Sequence, residues 1–211
     1  MILHGYFRSG ASYRTRIALN VKGLAYEQRP VALLKGEQRD PAYTALNPQG
    51  LVPALEVGDL VLTQSPAILE WLEETHPEPP LLPRDPAERA RLRAICALLG
   101  CDVQPLNNLR ILRVLREDFG QDQAGVNRWA QRWIKTGFDA LERLLEKGGS
   151  EDFCHGDSPT LADCYLVPQV YSATRFEVDL DPYPRIRRID EACARLEAFS
   201  NAHPSRQPDA A

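Results

Sequence analysis

Hydrophobic and polar positions divide the chain into two parts with different periodicities. Short apolar runs alternate with short helical patterns up to about residue 75, whereas long helical patterns dominate after residue 86. Between them lies HPEPPLLPRDP, residues 76–86, where five prolines favour an extended linker. The pattern therefore predicts two domains, residues 1–80 and residues 87–211.

The first part predicts four short strands and three helices in the order βαβαββα. The strands are expected at residues 2–7, 26–33, 52–57 and 60–62, and the helices at 12–22, 40–46 and 65–75. A helix between the first two strands requires them to be parallel, while Gly58-Asp59 is a two-residue hairpin signal. The sheet is therefore expected to be mixed. Ser65 is the expected N-cap of the third helix, with Pro66 at its first helical position.

The second part predicts helices alone. They are expected at residues 86–103, 106–115, 123–147, 158–170 and 184–200. Pro105 should break the first of them near Gln104. Thr160 and Asp163 have capping-box spacing at the start of the fourth. Residues 201–211 look like a loosely held tail.

Composition and charge narrow the classes of protein. The chain is 44% hydrophobic and 26% charged over 211 residues, as in globular proteins, and its net charge of −4 argues against a nucleic-acid partner. No apolar run approaches the roughly 20 residues of a membrane span, and no signal segment is evident, so we expect a cytoplasmic protein. Five cysteines without a C-x-x-C pair and four scattered histidines predict neither a disulfide framework nor a metal site.

The segment RSGAS, residues 8–12, is the first candidate for chemistry. A loop that leads into a helix presents unpaired N–H groups and the positive end of the helix dipole, which bind anions, including a thiolate. Ser9 and Ser12 add hydroxyl groups, and Gly10 lets the backbone approach a ligand. Taken alone, the segment also fits an ordinary N-cap.

Two further segments offer ligand contacts. In LNPQGLVPAL, residues 46–55, a cis Val52–Pro53 bond would direct the peptide groups of Val52 towards a ligand, whereas a trans bond would be an ordinary loop proline. In TQSPAI, residues 63–68, the N–H and hydroxyl of Ser65 could bind a carboxylate, and Gln64 an amino or amide group.

Together these residues resemble the glutathione transferase family. The βαβαββα half, the Val-Pro turn, the Gln-Ser pair and PTLADCYLVPQ in the helical half are similar to its two domains. The zeta class, whose members isomerise maleylacetoacetate or maleylpyruvate, is matched by five segments. These are YFRSGASYRTRIALNVKGL (6–24), NPQGLVPALE (47–56), VQPLNNLRIL (103–112), RFEVDLDPYP (175–184) and HPSRQPD (203–209). The resemblance implies a thioredoxin-like glutathione-binding domain followed by an all-helical substrate-binding domain.

One departure affects the expected activity. The zeta signature usually reads Ser-Ser-Cys-Ser-aromatic-Arg, whereas residues 9–14 read Ser-Gly-Ala-Ser-Tyr-Arg. Ser9, which the resemblance implies as the residue that activates the glutathione sulfur, is retained. The cysteine is replaced by Ala11, which weakens the expectation of transferase side activities and leaves the isomerase interpretation intact.

The resemblance implies a reaction and a set of site residues. A glutathione thiolate would add to a cis enone diacid, allow rotation about the former double bond and leave again, as a step in aromatic amino acid catabolism. The implied catalytic residues are Ser9, Gly10, Ala11 and Ser12. The implied glutathione contacts are Gln38, Gln49, Val52, Pro53, Gln64, Ser65, Asp102 and Asn108, with Asp102 reaching across a homodimer. The implied contacts to the carboxylates of a small dicarboxylate substrate are Arg8, Gln104, Arg110 and Arg175, with Arg110 at the edge of a buried helix face and Arg175 in a loop.

The choice of substrate and of activity stays open on the sequence alone. Gln104 and Leu109 favour maleylacetoacetate, whereas His and Arg at these positions would favour maleylpyruvate. The chain could also be a general glutathione transferase or a non-catalytic binding module. Retention of Ser9, Gln64 and Ser65 argues against a binding module.

Overall fold

A computed structural model describes residues 1–146 and 152–210, and the chain divides into two compact units. The first unit comprises Met1–Leu81 and the segment from Arg195 onwards, and the second comprises Leu82–Ala194. The boundary at Leu81 falls inside the proline-rich segment. The segment from Arg195, which the sequence groups with the helical part, packs instead with the first unit.

Strands are confined to the first unit in the described part of the chain, and helices occur in both units. The strands are β1 (Ile2–Gly5), β2 (Glu27–Pro30), β3 (Ala54–Val57) and β4 (Leu60–Thr63). The α-helices are α1 (Gly10–Val21), α2 (Pro41–Leu46), α3 (Ser65–Thr75), α4 (Pro86–Ala97), α5 (Leu109–Glu117), α6 (Gln123–Glu146), α7 (Leu161–Arg175), α8 (Pro184–Ala194) and α9 (Glu197–Ala202).

The sheet of the first unit has the strand order β2-β1-β3-β4. Strand β1 pairs parallel with β2 and antiparallel with β3, which pairs antiparallel with β4. The predicted mixed sheet and the βαβαββα order are therefore confirmed.

Strand register brings three segments to one edge of this sheet. Strand β1 ends at Gly5, next to the pair formed by His4 and Ala54, the first residue of β3. Ala54 is also paired with Thr63, the last residue of β4. Three segments consequently lie together at this edge: residues 6–9 after β1, residues 52–53 before β3 and residues 64–65 after β4.

Helix α1 ends where its sequence signal predicts. Gly23 has a φ of 66°, a left-handed value that favours glycine. The Leu24 N–H donates to Leu19 O and the Gly23 N–H to Asn20 O, both at 3.0 Å. These two bonds form a Schellman motif, which satisfies the last carbonyls of the helix.

The second unit contains the two helical features that the sequence indicates most clearly. Beyond α4 the chain winds more widely over Leu98–Val103 and then tightens into a 3₁₀ turn over Gln104–Asn107. The predicted break near Gln104 is thus confirmed. At the start of α7, Asp163 Oδ2 accepts the Thr160 N–H at 2.7 Å, which confirms the capping box.

Several expectations are corrected by the structure. Gln64, with φ 66° and ψ 110°, is the N-cap of α3, because this conformation lies outside the helix, so Ser65 is the first helical residue. The predicted helix 184–200 is interrupted between Ala194 and Glu197.

Residues 201–210 are not a loose tail. Gln207 Nε2 donates to Asn201 O at 2.9 Å and to His203 O at 2.8 Å. Arg16, which is fully buried, donates from Nε to Ala202 O at 3.0 Å. The bond between Arg16 and Ala202 joins residues 186 positions apart, and a contact at that separation leaves no periodic signal in the sequence.

No helix in the ranges 1–146 and 152–210 is both long and apolar enough to cross a membrane. Over the same residues, no group of three or more His, Cys, Asp or Glu side chains is placed to hold a metal ion.

Candidate functional site

Ser9 lies at the sheet edge, immediately before α1. It is the N-cap of the helix, with φ −68° and ψ 119°, and its Oγ accepts the Ser12 N–H at 3.2 Å. Because the oxygen already accepts one hydrogen bond, the hydroxyl proton of Ser9 can be donated to a ligand anion. Gly10 and Ala11 are the first two helical residues, and N–H groups at these positions lack acceptors within a helix.

Ser12 has a different place from the one expected. Its side chain is fully buried, and its Oγ accepts the Tyr6 N–H at 3.3 Å. A Cβ at Gly5 would lie 3.1 Å from Ser12 Oγ, so this close approach favours glycine. The Ser12 hydroxyl thus stabilises the turn over residues 6–12. Ser12 contributes to the site through its backbone N–H, which donates to Ser9 Oγ.

The loop 47–53 is held by two side-chain donors. Tyr43 Oη donates to Leu51 O at 2.6 Å, and Asn47 Nδ2 donates to the same oxygen at 2.7 Å. Burial raises the pKa of Tyr43 to about 12, so the phenol stays a donor at neutral pH. The Val52–Pro53 peptide bond is cis, which is the geometry that the sequence left open.

Three glutamine residues lie in or beside this loop. Gln64 Nε2 donates to Gln49 Oε1 at 2.5 Å. Gly50, with φ 61°, lies so close to the backbone of Gln38 that an added Cβ would be 2.9 Å from Gln38 O. The Gln38 side chain is 8% exposed, and its Oε1 is buried without a hydrogen-bond partner. A buried acceptor without a donor is costly, so this oxygen calls for a donor that the described residues do not supply.

Ser65 and Arg8 complete the predicted residues of the first unit. Ser65 is 4% exposed at the first position of α3, where the helix dipole favours a carboxylate. Arg8 is half-buried, and its Nη2 donates to Tyr6 Oη at 3.2 Å. Its guanidinium carbon lies 5.1 Å from the ring centroid of Phe7, so the cation is held by aromatic contacts beside Ser9.

Four predicted residues of the second unit lie close together in sequence around the break after α4. Asp102 is exposed and Gln104 half-buried. Asn108 is the N-cap of α5, and its Oδ1 accepts the Ile111 N–H at 3.2 Å, which commits one of its acceptor positions to the helix. Arg110 is exposed, and Leu112 is the one buried residue of α5.

Arg175 is the last residue of α7 and not part of a loop. It is exposed, and its guanidinium carbon lies 5.6 Å from the ring centroid of Phe176. One turn earlier, Ser172 Oγ donates to Asn107 Oδ1 at 3.5 Å. The end of α7 is thereby linked to the segment that carries Gln104.

Sequence reasoning missed two residues that contact the loop before Ser9. Asp209 Oδ2 accepts the Phe7 N–H at 2.9 Å, and Arg16 Nη2 donates to Phe7 O at 3.0 Å. Both residues lie in segments that carry the family resemblance, but nothing in their spacing from Phe7 predicts the contacts.

Two family models match the chain. Residues 8–75 match the N-terminal domain of glutathione S-transferases, and residues 123–201 match the C-terminal domain. Together they include all the candidate residues of the first unit and Arg175 in the second.

Individual relatives agree with this match over the full length. A solved structure described as holo maleylpyruvate isomerase, a bacterial glutathione S-transferase of the zeta class, is 56% identical, with a TM-score of 0.99 and complete coverage of both chains. Maleylacetoacetate isomerase of Pseudomonas aeruginosa is 52% identical over 99% of this chain and 98% of its own. The structure of maleylacetoacetate isomerase from Anaeromyxobacter dehalogenans with glutathione bound in its active site is 50% identical. Its TM-score is 0.89, and the match covers 100% of this chain and 97% of that one.

Proposed function

The chain belongs to the glutathione transferase family, beside its maleylpyruvate and maleylacetoacetate isomerases, and we propose that it converts maleylacetoacetate to fumarylacetoacetate with glutathione as cofactor. The observation on which this proposal rests is the position of Ser9. Its hydroxyl group stands at the amino end of α1, accepts the Ser12 N–H and keeps its own proton for an anion.

The residues of the first unit fit glutathione, a tripeptide with two carboxylates, an amine and two amides. The first turn of α1 suits the thiolate, and the first turn of α3, with Ser65, suits a carboxylate. Gln64 and Gln49 offer polar groups for the amine. Gln38 Oε1, buried and without a partner, suits an amide N–H.

Glutathione supplies the nucleophile, and the residues of the chain stabilise the charges of the reaction. When bound, glutathione supplies a thiolate that adds reversibly to the cis double bond of the substrate, which permits rotation about that bond. The Ser9 hydroxyl and the N–H groups of Gly10 and Ala11 favour the ionised sulfur, because a helix amino end and donors lower the pKa of a thiol. Arg8 adds positive charge that stabilises the negative charge developing on the substrate. We expect Arg175 and Arg110 to bind the substrate carboxylates, since arginine holds carboxylates in a bidentate manner.

Maleylpyruvate is the second candidate substrate. The maleylpyruvate and maleylacetoacetate relatives are 56% and 52% identical, so overall identity does not decide between the two acids. Gln104, half-buried, and Leu109 favour maleylacetoacetate in this chain. A general transferase activity would fit the fold but has no specific support, since the signature cysteine is replaced by Ala11.

Steady-state assays with both acids test the proposal. Product formation would be followed by coupling to the matching fumaryl hydrolase, with and without glutathione, and with a chloronitrobenzene as the transferase control. We expect glutathione-dependent turnover with a higher kcat/KM for maleylacetoacetate, and weak conjugation of the chloronitrobenzene. Turnover of neither maleyl acid would refute the isomerase assignment, and a higher kcat/KM for maleylpyruvate would reverse the substrate assignment.

A variant pair sharpens the choice of substrate. Gln104→His and Leu109→Arg, separately and together, should shift the kcat/KM ratio towards maleylpyruvate. Asn107→Ser, between these two positions, is the control. Asn107 Nδ2 donates to Val103 O at 3.2 Å, so loss of this amide should lower stability without changing the kcat/KM ratio.

We also propose a homodimer in which Asp102, exposed in the second unit, contacts glutathione bound to the partner protomer. Light scattering would measure the mass, and Asp102→Asn should weaken glutathione binding. A monomer with unchanged glutathione affinity in the variant would refute this arrangement.

A further inference from the structure

Phe7 is held on both sides of its backbone by groups far from it in sequence. Its N–H donates to Asp209 Oδ2 at 2.9 Å, and its carbonyl oxygen accepts from Arg16 Nη2 at 3.0 Å. Arg16 is itself bound to Ala202 O through Nε. Residues 202–209 therefore act on the peptide groups of Phe7 directly and through Arg16.

These contacts complete the fixation of the loop that leads to Ser9. The neighbouring residue Tyr6 is held from within the turn, since its N–H donates to Ser12 Oγ and its carbonyl accepts the Ser9 N–H at 3.0 Å. Phe7 lies between Tyr6 and Arg8, and its own peptide groups are bound by Asp209 and Arg16. Without the Asp209 bond, the Phe7 N–H would lose its acceptor, and the peptide plane could rotate.

The value of Asp209 lies in the position of its oxygen and not in its charge. A carboxylate near Ser9 disfavours the negative charge of a thiolate, so its charge alone would oppose the proposed chemistry. The side chain is half-buried, and its Oδ1 lies 3.5 Å from Gln28 Nε2. Two contacts thus orient the carboxylate so that Oδ2 faces the Phe7 N–H.

We propose that Asp209 is a positioning residue for the reaction, which fixes the Phe7 peptide and thereby keeps the Ser9 hydroxyl and the first turn of α1 at the glutathione sulfur. This inference rests on the proposed function, because it assigns Asp209 a role through Ser9. A displacement of about 1 Å in a reacting group lowers rates by up to about 100-fold.

The test separates position from charge. In Asp209→Ala we expect kcat/KM to fall between about 10- and 100-fold, and the apparent pKa of the enzyme-bound glutathione thiol, read from thiolate absorbance against pH, to rise. In Asp209→Asn the amide oxygen can still accept the Phe7 N–H, while the Gln28 amide can turn its oxygen to the new NH₂ group. The Asn variant should therefore keep kcat/KM within about threefold of the wild type.

Arg206→Ala is the matched control. Arg206 lies in the same segment, is exposed, and donates to Asn201 Oδ1 at 2.8 Å without contacting Phe7. It should leave both kcat/KM and the thiol pKa unchanged. If Asp209→Ala does not fold, Asp209→Glu, which keeps the charge and displaces the oxygen by one methylene, must show the same loss.

The outcomes are distinct. Wild-type protein without glutathione-dependent turnover would refute the proposed function. An active wild type together with an unaltered Asp209→Ala, or Asp209→Glu where Ala does not fold, would refute the positioning role alone. Equal losses in Asp209→Asn and Asp209→Ala would also refute it, because they would show that the charge is what matters.

Discussion

Lys22 Nζ lies 2.6 Å from Glu73 Oε2 in the interior of the first unit, where the two side chains are 0% and 7% exposed. The same ammonium group donates to Pro79 O at 2.7 Å, and the Leu81 N–H donates to Glu73 Oε2 at 2.9 Å. The pair thus joins the end of α1, helix α3 and the proline-rich segment.

Replacing Lys22 should destabilise the first unit strongly. Lys22→Met leaves the Glu73 carboxylate buried without its cation, and removal of one partner from such a pair lowers the free energy of unfolding by about 3–5 kcal/mol. Urea unfolding measures this change, with Lys35→Met at an exposed position as the control. A loss no larger than that of the control would show that the pair contributes nothing.

Ser9 and Ser12 should respond differently to alanine. Ser9→Ala removes the proposed donor to the thiolate, and loss of one such donor lowers kcat by about 100- to 1,000-fold. Ser12→Ala keeps the N–H that Ser9 accepts but leaves the Tyr6 N–H unpaired, so it should lower the free energy of unfolding by about 1–3 kcal/mol with a smaller effect on kcat.

Urea unfolding and steady-state kinetics on both serine variants provide the comparison. Similar kcat values for the two variants would contradict the role assigned to Ser9.

Arg175→Ala should act on substrate affinity. Loss of a charged hydrogen bond to a carboxylate corresponds to about 1.5–3 kcal/mol, so KM for the maleyl acid should rise about 10- to 160-fold with little change in kcat. Arg132, also exposed and placed 5.9 Å from an aromatic ring centroid on α6, is the control. An Arg132→Ala variant with the same rise in KM would exclude a specific role for Arg175.

Asp190 makes stability depend on pH. Burial, and to a lesser degree the charge of Glu191, raises the pKa of Asp190 from 3.8 to about 6. The folded state therefore binds this proton more tightly than the unfolded state, and stability falls as the pH rises from about 4 to about 6. Above that range the half-buried carboxylate is ionised, which lowers stability at neutral pH.

Asp190→Asn should remove this dependence. We expect a gain of about 1–3 kcal/mol in the free energy of unfolding at pH 7 and almost none at pH 4. Glu191→Gln, at the exposed neighbouring position, should give a smaller gain over the same range. Denaturant curves between pH 4 and pH 7 measure the effect, and equal gains at both ends would contradict the assignment.

Local signals account for what could be predicted from the sequence. The bounds of α3 match the predicted residues 65–75, and the capping box of Thr160 and Asp163 is present, because caps and apolar periodicity act over one helical turn. The N-cap of α3 is Gln64 and not the predicted Ser65, because a glutamine with positive φ has no sequence signature. The prediction of a loose tail is wrong because Ala202 and Asp209 contact Arg16 and Phe7, 186 and 202 positions away.

The candidate site shows the same division. Ser9 could be recognised because it stands between an apolar strand and a helical pattern. The burial of the Ser12 hydroxyl, the partnerless Gln38 oxygen and the Asp209 contact with Phe7 depend on tertiary packing. None of these follows from spacing along the chain.

The first unit is built from two stretches of chain that are far apart in sequence, and this affects the order in which it folds during translation. Residues 1–81 leave the ribosome before residue 202 is synthesised. The sheet and α1 therefore lack the contacts of the segment from Arg195 until the whole helical unit has been translated. During that interval the Arg16 guanidinium lacks its Ala202 acceptor, and the Phe7 amide lacks Asp209. The loop that leads to Ser9 consequently acquires its final shape only after residues 202–209 have been synthesised.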